Sequence, residues 1–337
     1  MEMKTMKSPI WTSIDFDAIG YQADFARLPY SSDTSAYGWI PIPMVCLKGG
    51  DGPTALLTAG THGDEYEGQI ALRRLLRDLK NTKLEGRVIA LPSLNWPAVS
   101  AGRRNSPIDS GNLNRVFPGT TSGGPTAAIA HFVSSELFPR ADLVIDLHSG
   151  GSSLDYLPLV LGRQGRNEAE GAEIRRLMAT FAAPYSVITD GAAGGAGSTM
   201  YAAAESQGVL AIMTELGSGP TLCPERLAIA EAGLRRVLRD YGIAPELEAP
   251  DAPTPRMMRT LSPSASIYAP SAGMFEPFFR PGDEIAAGQL GGLLHPLENP
   301  LQDPIELRFN HAGTVAYRRF PTLTKTGDAL FGLAVPV

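Results

Sequence analysis

"TALLTAGTHGDEYEGQIALRRLLRDLK", residues 54–80, holds a strand pattern, a polar turn and a helix pattern in succession. Residues 54–60, "TALLTAG", are small and apolar and read as a buried strand. From Gly68 onward, Leu72, Leu75, Leu76 and Leu79 recur at i, i+3, i+4 and i+7, which puts them on one helix face. Strand, turn and amphipathic helix in that order are the repeating unit of an α/β fold. Between the two patterns stand His62 and Glu65.

The same alternation recurs downstream. Short apolar runs at 87–92, 142–148 ("DLVIDLH") and 209–216 ("VLAIMTEL") read as further buried strands. Ile129, Phe132, Val133 and Leu137 have helical spacing, as do Leu227, Ala230, Leu234, Leu238 and Tyr241. Strands that alternate with helices imply a mostly parallel mixed sheet flanked by helices, with sites gathered at the carboxyl ends of the strands. His62, His148 and Glu215 all fall at such ends.

Composition excludes several classes. The chain has 337 residues, 43% of them apolar and 19% charged, as is usual for a globular protein. A net charge of −6 argues against a nucleic-acid surface. No apolar stretch approaches a membrane span, and "MEMKTMKSPIWTSID" lacks the apolar region of a signal peptide. Two cysteines, Cys46 and Cys223, imply no disulfide framework and suit a reducing cytoplasm.

His62 and Glu65 form H-x-x-E, a spacing that lets an imidazole and a carboxylate face one zinc ion. Alone, the pair is common on surfaces. His148, at the end of "DLVIDLH", supplies a third donor. Asp146 lies on the same strand face and suits the other imidazole nitrogen of His148. Two histidines and a carboxylate leave zinc an open position, where a water becomes a nucleophile near neutral pH. Glu215, an acid inside "VLAIMTELG", is the candidate general base. In "AGRRNSPIDSGNLNRVFPG", residues 101–119, Arg115 beside Asn114 suits a substrate carboxylate, and Arg103 or Arg104 suits an oxyanion.

The texture changes in "APELEAPDAPTPR", residues 244–256, which reads as a linker. Beyond it, "AGMFEPFFRPGDEIAAGQLGG" (272–292) is echoed by "AGTVAYRRFPTLTKTGDALFG" (312–332). Two similar halves suggest a smaller all-β domain over 257–337, after a catalytic domain over 1–245. It resembles a biotinyl-lipoyl fold. The segment between the halves has no lysine and Lys325 precedes the second Gly-Asp turn, so a structural role is expected rather than a carrier role.

Together, "GTHGDEYEG" (60–68), "NLNRVFPG" (112–119), "DLHSGG" (146–151) and "TELGSG" (214–219) resemble the succinylglutamate desuccinylase/aspartoacylase family, which belongs with the zinc carboxypeptidases. The resemblance covers residues ~40–240, and the tail looks like the family's β domain. It implies one zinc per chain on His62, Glu65 and His148, with Glu215 as general base and acid. It also implies that Asn114 and Arg115 hold the α-carboxylate and that Arg104 polarises the scissile carbonyl, with Arg103 as the fallback. "SPIDSGNLNRVFPG" looks like the pattern of the N-α-acetyl-diaminobutyrate deacetylases within the family.

Family members that cleave dicarboxylates need a second cation. No Lys or Arg occurs between Arg176 and Arg226; the stretch 190–205, expected near the substrate side chain, offers Asp190 and Glu205. The expected activity is therefore zinc-dependent removal of an acyl group, acetyl foremost, from an N-acyl amino acid with a cationic side chain, N-α-acetyl-L-2,4-diaminobutyrate in particular. Aspartoacylase, desuccinylase and metallocarboxypeptidase activities are the alternatives, ahead of a non-enzymatic binding module. The expected partner is a small molecule, not nucleic acid or membrane, and the sequence leaves room for a homo-oligomer.

Overall fold

The computed structural model describes residues 7–191 and 195–337. Its first part runs β1 (Gly20–Pro29), β2 (Trp39–Lys48), β3 (Thr54–Ala59), α1 (Glu67–Leu79), β4 (Arg87–Leu91), α2 (Trp96–Ala101) and α3 (Gly124–Phe132). Next come β5 (Leu143–Leu147), β6 (Leu154–Tyr156), β7 (Leu159–Arg163), α4 (Glu168–Phe181), β8 (Tyr185–Thr189), α5 (Met200–Ser206), β9 (Leu210–Glu215) and α6 (Pro224–Asp240). All the strands and helices expected from apolar spacing are present. The helix expected through Leu137 ends at Phe132 and continues as a wider π turn over Val133–Leu137.

Strands β4, β3, β5 and β9 are neighbours and mutually parallel. β7 lies antiparallel to β9 and parallel to β8, while the β1–β2 hairpin adds an antiparallel edge beside β4. Successive side chains of a strand face opposite ways, so each central strand feeds two cores. Leu57, Ile145 and Ile212 pack with Leu72, Leu75 and Leu79 of α1 and with residues of α4 and α6. Leu56, Val144 and Ala211 pack on the other face with Ile129, Phe132 and Met200.

The remaining strands are β10 (Arg256–Thr260), β11 (Ile267–Tyr268), β12 (Gly273–Pro277), β13 (Glu284–Ile285), β14 (Leu290–His295), β15 (Ile305–Arg308), β16 (Gly313–Arg319), β17 (Leu323–Thr324) and β18 (Ala329–Pro336). The internal repeat is visible as two copies of one turn. The Asp283 carboxylate accepts the Arg280 N–H at 2.7 Å, and Asp328 accepts that of Lys325 at 2.7 Å. The preceding glycines have φ of +102° (Gly282) and +86° (Gly327), which a side chain disfavours.

The hydrogen bonding does not stop at the proline-rich segment. β10 pairs in parallel with β8 and antiparallel with β18, so the large sheet continues through β18, β16 and β13. Met258, Leu157, Leu159, Val187, Ala316 and Ala334 form one small core across that seam. A second, four-stranded antiparallel sheet of β15, β14, β12 and β17 lies in the C-terminal part. β10 covers an edge of β8 that would otherwise present unpaired backbone groups.

Candidate metal centre and active site

Three parallel strands bring the chemistry to one rim. Ala59 of β3 lies opposite Leu147 of β5, and Asp146 opposite Met213 of β9. His62 therefore follows β3, His148 follows β5, and Glu215 closes β9, all at one end of the sheet.

His62, Glu65 and His148 are fully buried, with donor atoms within 4.8 Å of one another. Glu65 stands between the imidazoles: its Oε1 is 2.7 Å from His62 Nδ1 and its Oε2 2.9 Å from His148 Nδ1. Each ring is gripped from behind at the other nitrogen. His62 Nε2 donates to Asn112 Oδ1 (3.1 Å), and His148 Nε2 to Asp146 Oδ2 (2.7 Å). That arrangement leaves the Nδ1 of each ring as the nitrogen that faces Glu65, and the one each ring would offer to a shared ion. The donors fit a divalent metal: two neutral imidazoles and a carboxylate, each oriented by an outer hydrogen bond. Asp146 is itself held, its Oδ1 accepting from Thr58 Oγ1 (2.8 Å) and Thr61 Oγ1 (2.9 Å).

Electrostatics follow from this packing. Burial disfavours the charged form of Glu65, but the facing histidines outweigh it and hold the carboxyl well below its usual range. Burial, helped by the positive charge of Arg104 and by His148, lowers the pKa of His62 against the pull of Glu65, whereas at His148 the carboxylates of Asp146 and Glu65 override burial and raise it. Glu215 is pushed well above the carboxylate range by burial and then by the negative charge of Glu65. Its Oε2 is buried and has no hydrogen-bond partner among the described residues.

A cavity opens over these groups, lined on its polar side by His62, His148, Glu215, Arg104, Asn114 and Arg115. Arg104 Nη1 lies 3.3 Å from His62 Nδ1 and 3.4 Å from Glu65 Oε1. Arg103 is exposed and does not line the cavity; its carbonyl instead accepts the Gly63 N–H at 2.8 Å, pinning the His62 turn. Asn114 and Arg115 sit on a short 3₁₀ turn capped by Asn112, the residue that also grips His62. Asn114 Oδ1 accepts the Met200 N–H (2.9 Å), so its amide NH₂, 3.4 Å from His148 Nε2, is the end turned toward the site.

The expectation that Glu205 stands open to a cationic side chain needs correction. Arg163, at the end of β7 and outside residues 177–225, forms an ion pair with Glu205. Glu205 is therefore already partnered and is no free anion for a cationic side chain. The stretch 190–205 was expected to border the substrate side chain; residues 192–194 of it lie outside the described residues, while Thr199 and Tyr201 line the cavity.

Other wall residues escaped the sequence reading. Tyr156 of β6 and Tyr317 of β16 line the cavity with ring centroids 5.2 Å apart, opposite each other in the pairing of those strands. Asp155 and Arg318 add an ion pair at 3.2 Å along the same seam. The C-terminal part thus forms one wall of the site. Thr58 carried a faint signal, a hydroxyl inside a buried apolar run; the tyrosines carried none. Of the remaining histidines, His295 pairs with Glu276 on the small sheet at 2.7 Å and His131 sits in α3, away from the site.

The catalytic domain of the succinylglutamate desuccinylase/aspartoacylase family matches residues 51–241. The chain belongs to that family. It is 41% identical over 336 residues to the N-α-acetyl-L-2,4-diaminobutyric acid deacetylase of Halomonas elongata, covering 97% of this chain and 95% of the relative. The product-bound ectoine utilization protein EutE (DoeB) of Ruegeria pomeroyi has a similar structure, with 39% identity, a TM-score of 0.92 and coverage of 98% and 99% of the two chains. A succinylglutamate desuccinylase/aspartoacylase from Rhodobacter sphaeroides shares 35% identity at a TM-score of 0.91, covering 98% and 99%. As a family member the chain is a hydrolase of linear amides, a deacylase, as the motif set implied. No helix among the described residues is long and apolar enough to cross a membrane.

Proposed function

We propose that the protein is a cytoplasmic zinc-dependent deacylase that removes the acetyl group from N-α-acetyl-L-2,4-diaminobutyrate or a close relative. One observation carries the chemistry: a buried His–Glu–His donor group shares a cavity with the orphaned carboxylate of Glu215. The substrate is supported by the Halomonas relative, not by Glu205, whose carboxylate Arg163 already pairs. His62, Glu65 and His148 would hold one zinc per chain, whose chemistry is to acidify water and polarise a carbonyl.

The chain's own groups do the rest. Glu215 takes a proton from the attacking water and delivers it to the leaving amine. Arg104, beside Glu65, opposes the negative charge that develops on the carbonyl oxygen. Arg115 and the Asn114 amide hold the α-carboxylate, which fixes the scissile bond relative to Glu215. Residues 257–337 act as a β domain that closes one side of the cavity with Tyr317 and does not carry a prosthetic group.

The test is zinc analysis combined with kcat/KM for N-α-acetyl-L-2,4-diaminobutyrate, N-acetylaspartate and N-succinylglutamate. We expect at least a tenfold preference for the diaminobutyrate, or about 1.4 kcal/mol. Equal values, or a preference for either dicarboxylate, would reject the substrate assignment.

A further inference from the structure

Glu67 is a buried carboxylate that the deacylation chemistry does not use. It is 1% exposed and opens α1, two residues beyond Glu65. Its Oε2 accepts from Ser149 Oγ at 2.6 Å, and its Oε1 from the Cys223 N–H at 3.0 Å. A side chain at Gly217 would place its Cβ 2.6 Å from both oxygens, so the backbone after Glu215 runs directly against this carboxylate.

The partners of Glu67 are those that touch the active groups. The Ser149 N–H donates to Glu65 Oε2 at 3.1 Å, the oxygen that also meets His148. The loop leaving β5 is zipped to the loop leaving β9: Leu216 N–H donates to the His148 carbonyl (3.1 Å), and Gly150 N–H to that of Gly217 (3.0 Å). Glu67 lies where α1 and these two loops converge. A buried carboxylate costs stability unless its oxygens are engaged, and here both are engaged by segments that carry the site.

We propose that Glu67 is a positioning residue. Through Ser149 it sets the orientation of Glu65, and through Gly217 and Cys223 it holds the loop that places Glu215. The proposal rests on the zinc reading above. It predicts that Glu67 governs metal affinity although it touches no donor nitrogen and no substrate.

The experiment measures zinc affinity by chelator competition, with Zn²⁺ as the only added ligand, for full-length wild type, Glu67→Ala, Glu67→Gln and Ser149→Ala. Thermal midpoints are taken alongside, and kcat and KM at saturating zinc. Loss of an outer hydrogen-bond partner typically weakens metal binding or activity about 10–100-fold. Glu67→Ala should fall in that range for zinc affinity and lose kcat more than KM rises. Glu67→Gln should recover most of both, because the amide can accept from Cys223 and donate to the Ser149 hydroxyl. Ser149→Ala should lower zinc affinity, and adding it to Glu67→Ala should cost little more, since both remove one link.

Wild-type zinc affinity in folded Glu67→Ala overturns the proposal, as does equal damage from Gln and Ala. If Glu67→Ala does not fold, Ser149→Ala decides, and unchanged zinc affinity there overturns the link. Wild-type protein that binds no zinc rejects the metal reading itself, and the proposal with it, a result distinct from unchanged affinity in the variants.

Discussion

At the scale of single residues, the site is a set of atoms held from behind. His148 presents Nδ1 because Asp146 accepts the hydrogen bond from its Nε2–H, and Asp146 stays in place because Thr58 and Thr61 both donate to it. Glu215 differs, with a buried oxygen that no described group satisfies. Glu215→Gln should therefore keep the zinc and lose about 10²–10⁴-fold in kcat. A metal-replete variant with near wild-type turnover would remove Glu215 as the base. Cys46 illustrates burial without function: burial pushes its thiol from 9.0 up to about 11. A raised thiol pKa favours the protonated folded state, so its contribution is intact below pH 9 and fades as pH rises toward 11. In native protein at pH 8, iodoacetamide should leave Cys46 unlabelled until the chain is unfolded; rapid native labelling would contradict its burial.

At the scale of elements, α1 joins fold to chemistry. Its inner face packs Leu72, Leu75, Leu76 and Leu79 against the sheet, and its first turn carries Glu67. Leu72 is fully buried. Leu72→Ala should cost about 2–5 kcal/mol in urea unfolding. A loss under about 1 kcal/mol would mean that the helix face contributes less than its burial implies. The helix and its strand were readable from the chain because local periodicity records which face is buried. β6, β7 and β8 were not read as strands. β6 is three residues long with no fully buried position, and its pairing is with β16, far away in sequence.

At the scale of the whole molecule, the C-terminal part shares both a sheet and a core with the catalytic part. β10 seals the edge of β8, and Met258 packs with Val187 and Leu159. Truncation after residue 255 should therefore yield an insoluble or aggregating protein rather than an enzyme with a wider cleft, because it exposes a long strand edge and the apolar side chains beside it. A soluble, monodisperse truncated protein that hydrolyses peptides would show instead that the tail is a detachable cover.

Local chain chemistry by itself pointed to the central strands, to the helices α1, α3 and α6 but not α4 or α5, to the repeated Gly-Asp turns and to the four candidate groups His62, Glu65, His148 and Glu215. Each is announced by neighbours in sequence: an apolar run that ends in a polar residue, or a spacing of three. Tertiary structure alone decided what surrounds them. Thr58 reaches Asp146 across 88 positions, Ser149 reaches Glu67 across 82, and Tyr317 meets Tyr156 only because β16 folds back onto β6. The pairing of Arg163 with Glu205 belongs to the same class, and it is where reading charges along the chain failed. Hydrogen bonds and ion pairs act over a few ångströms of space, whereas composition and periodicity record only separation along the chain.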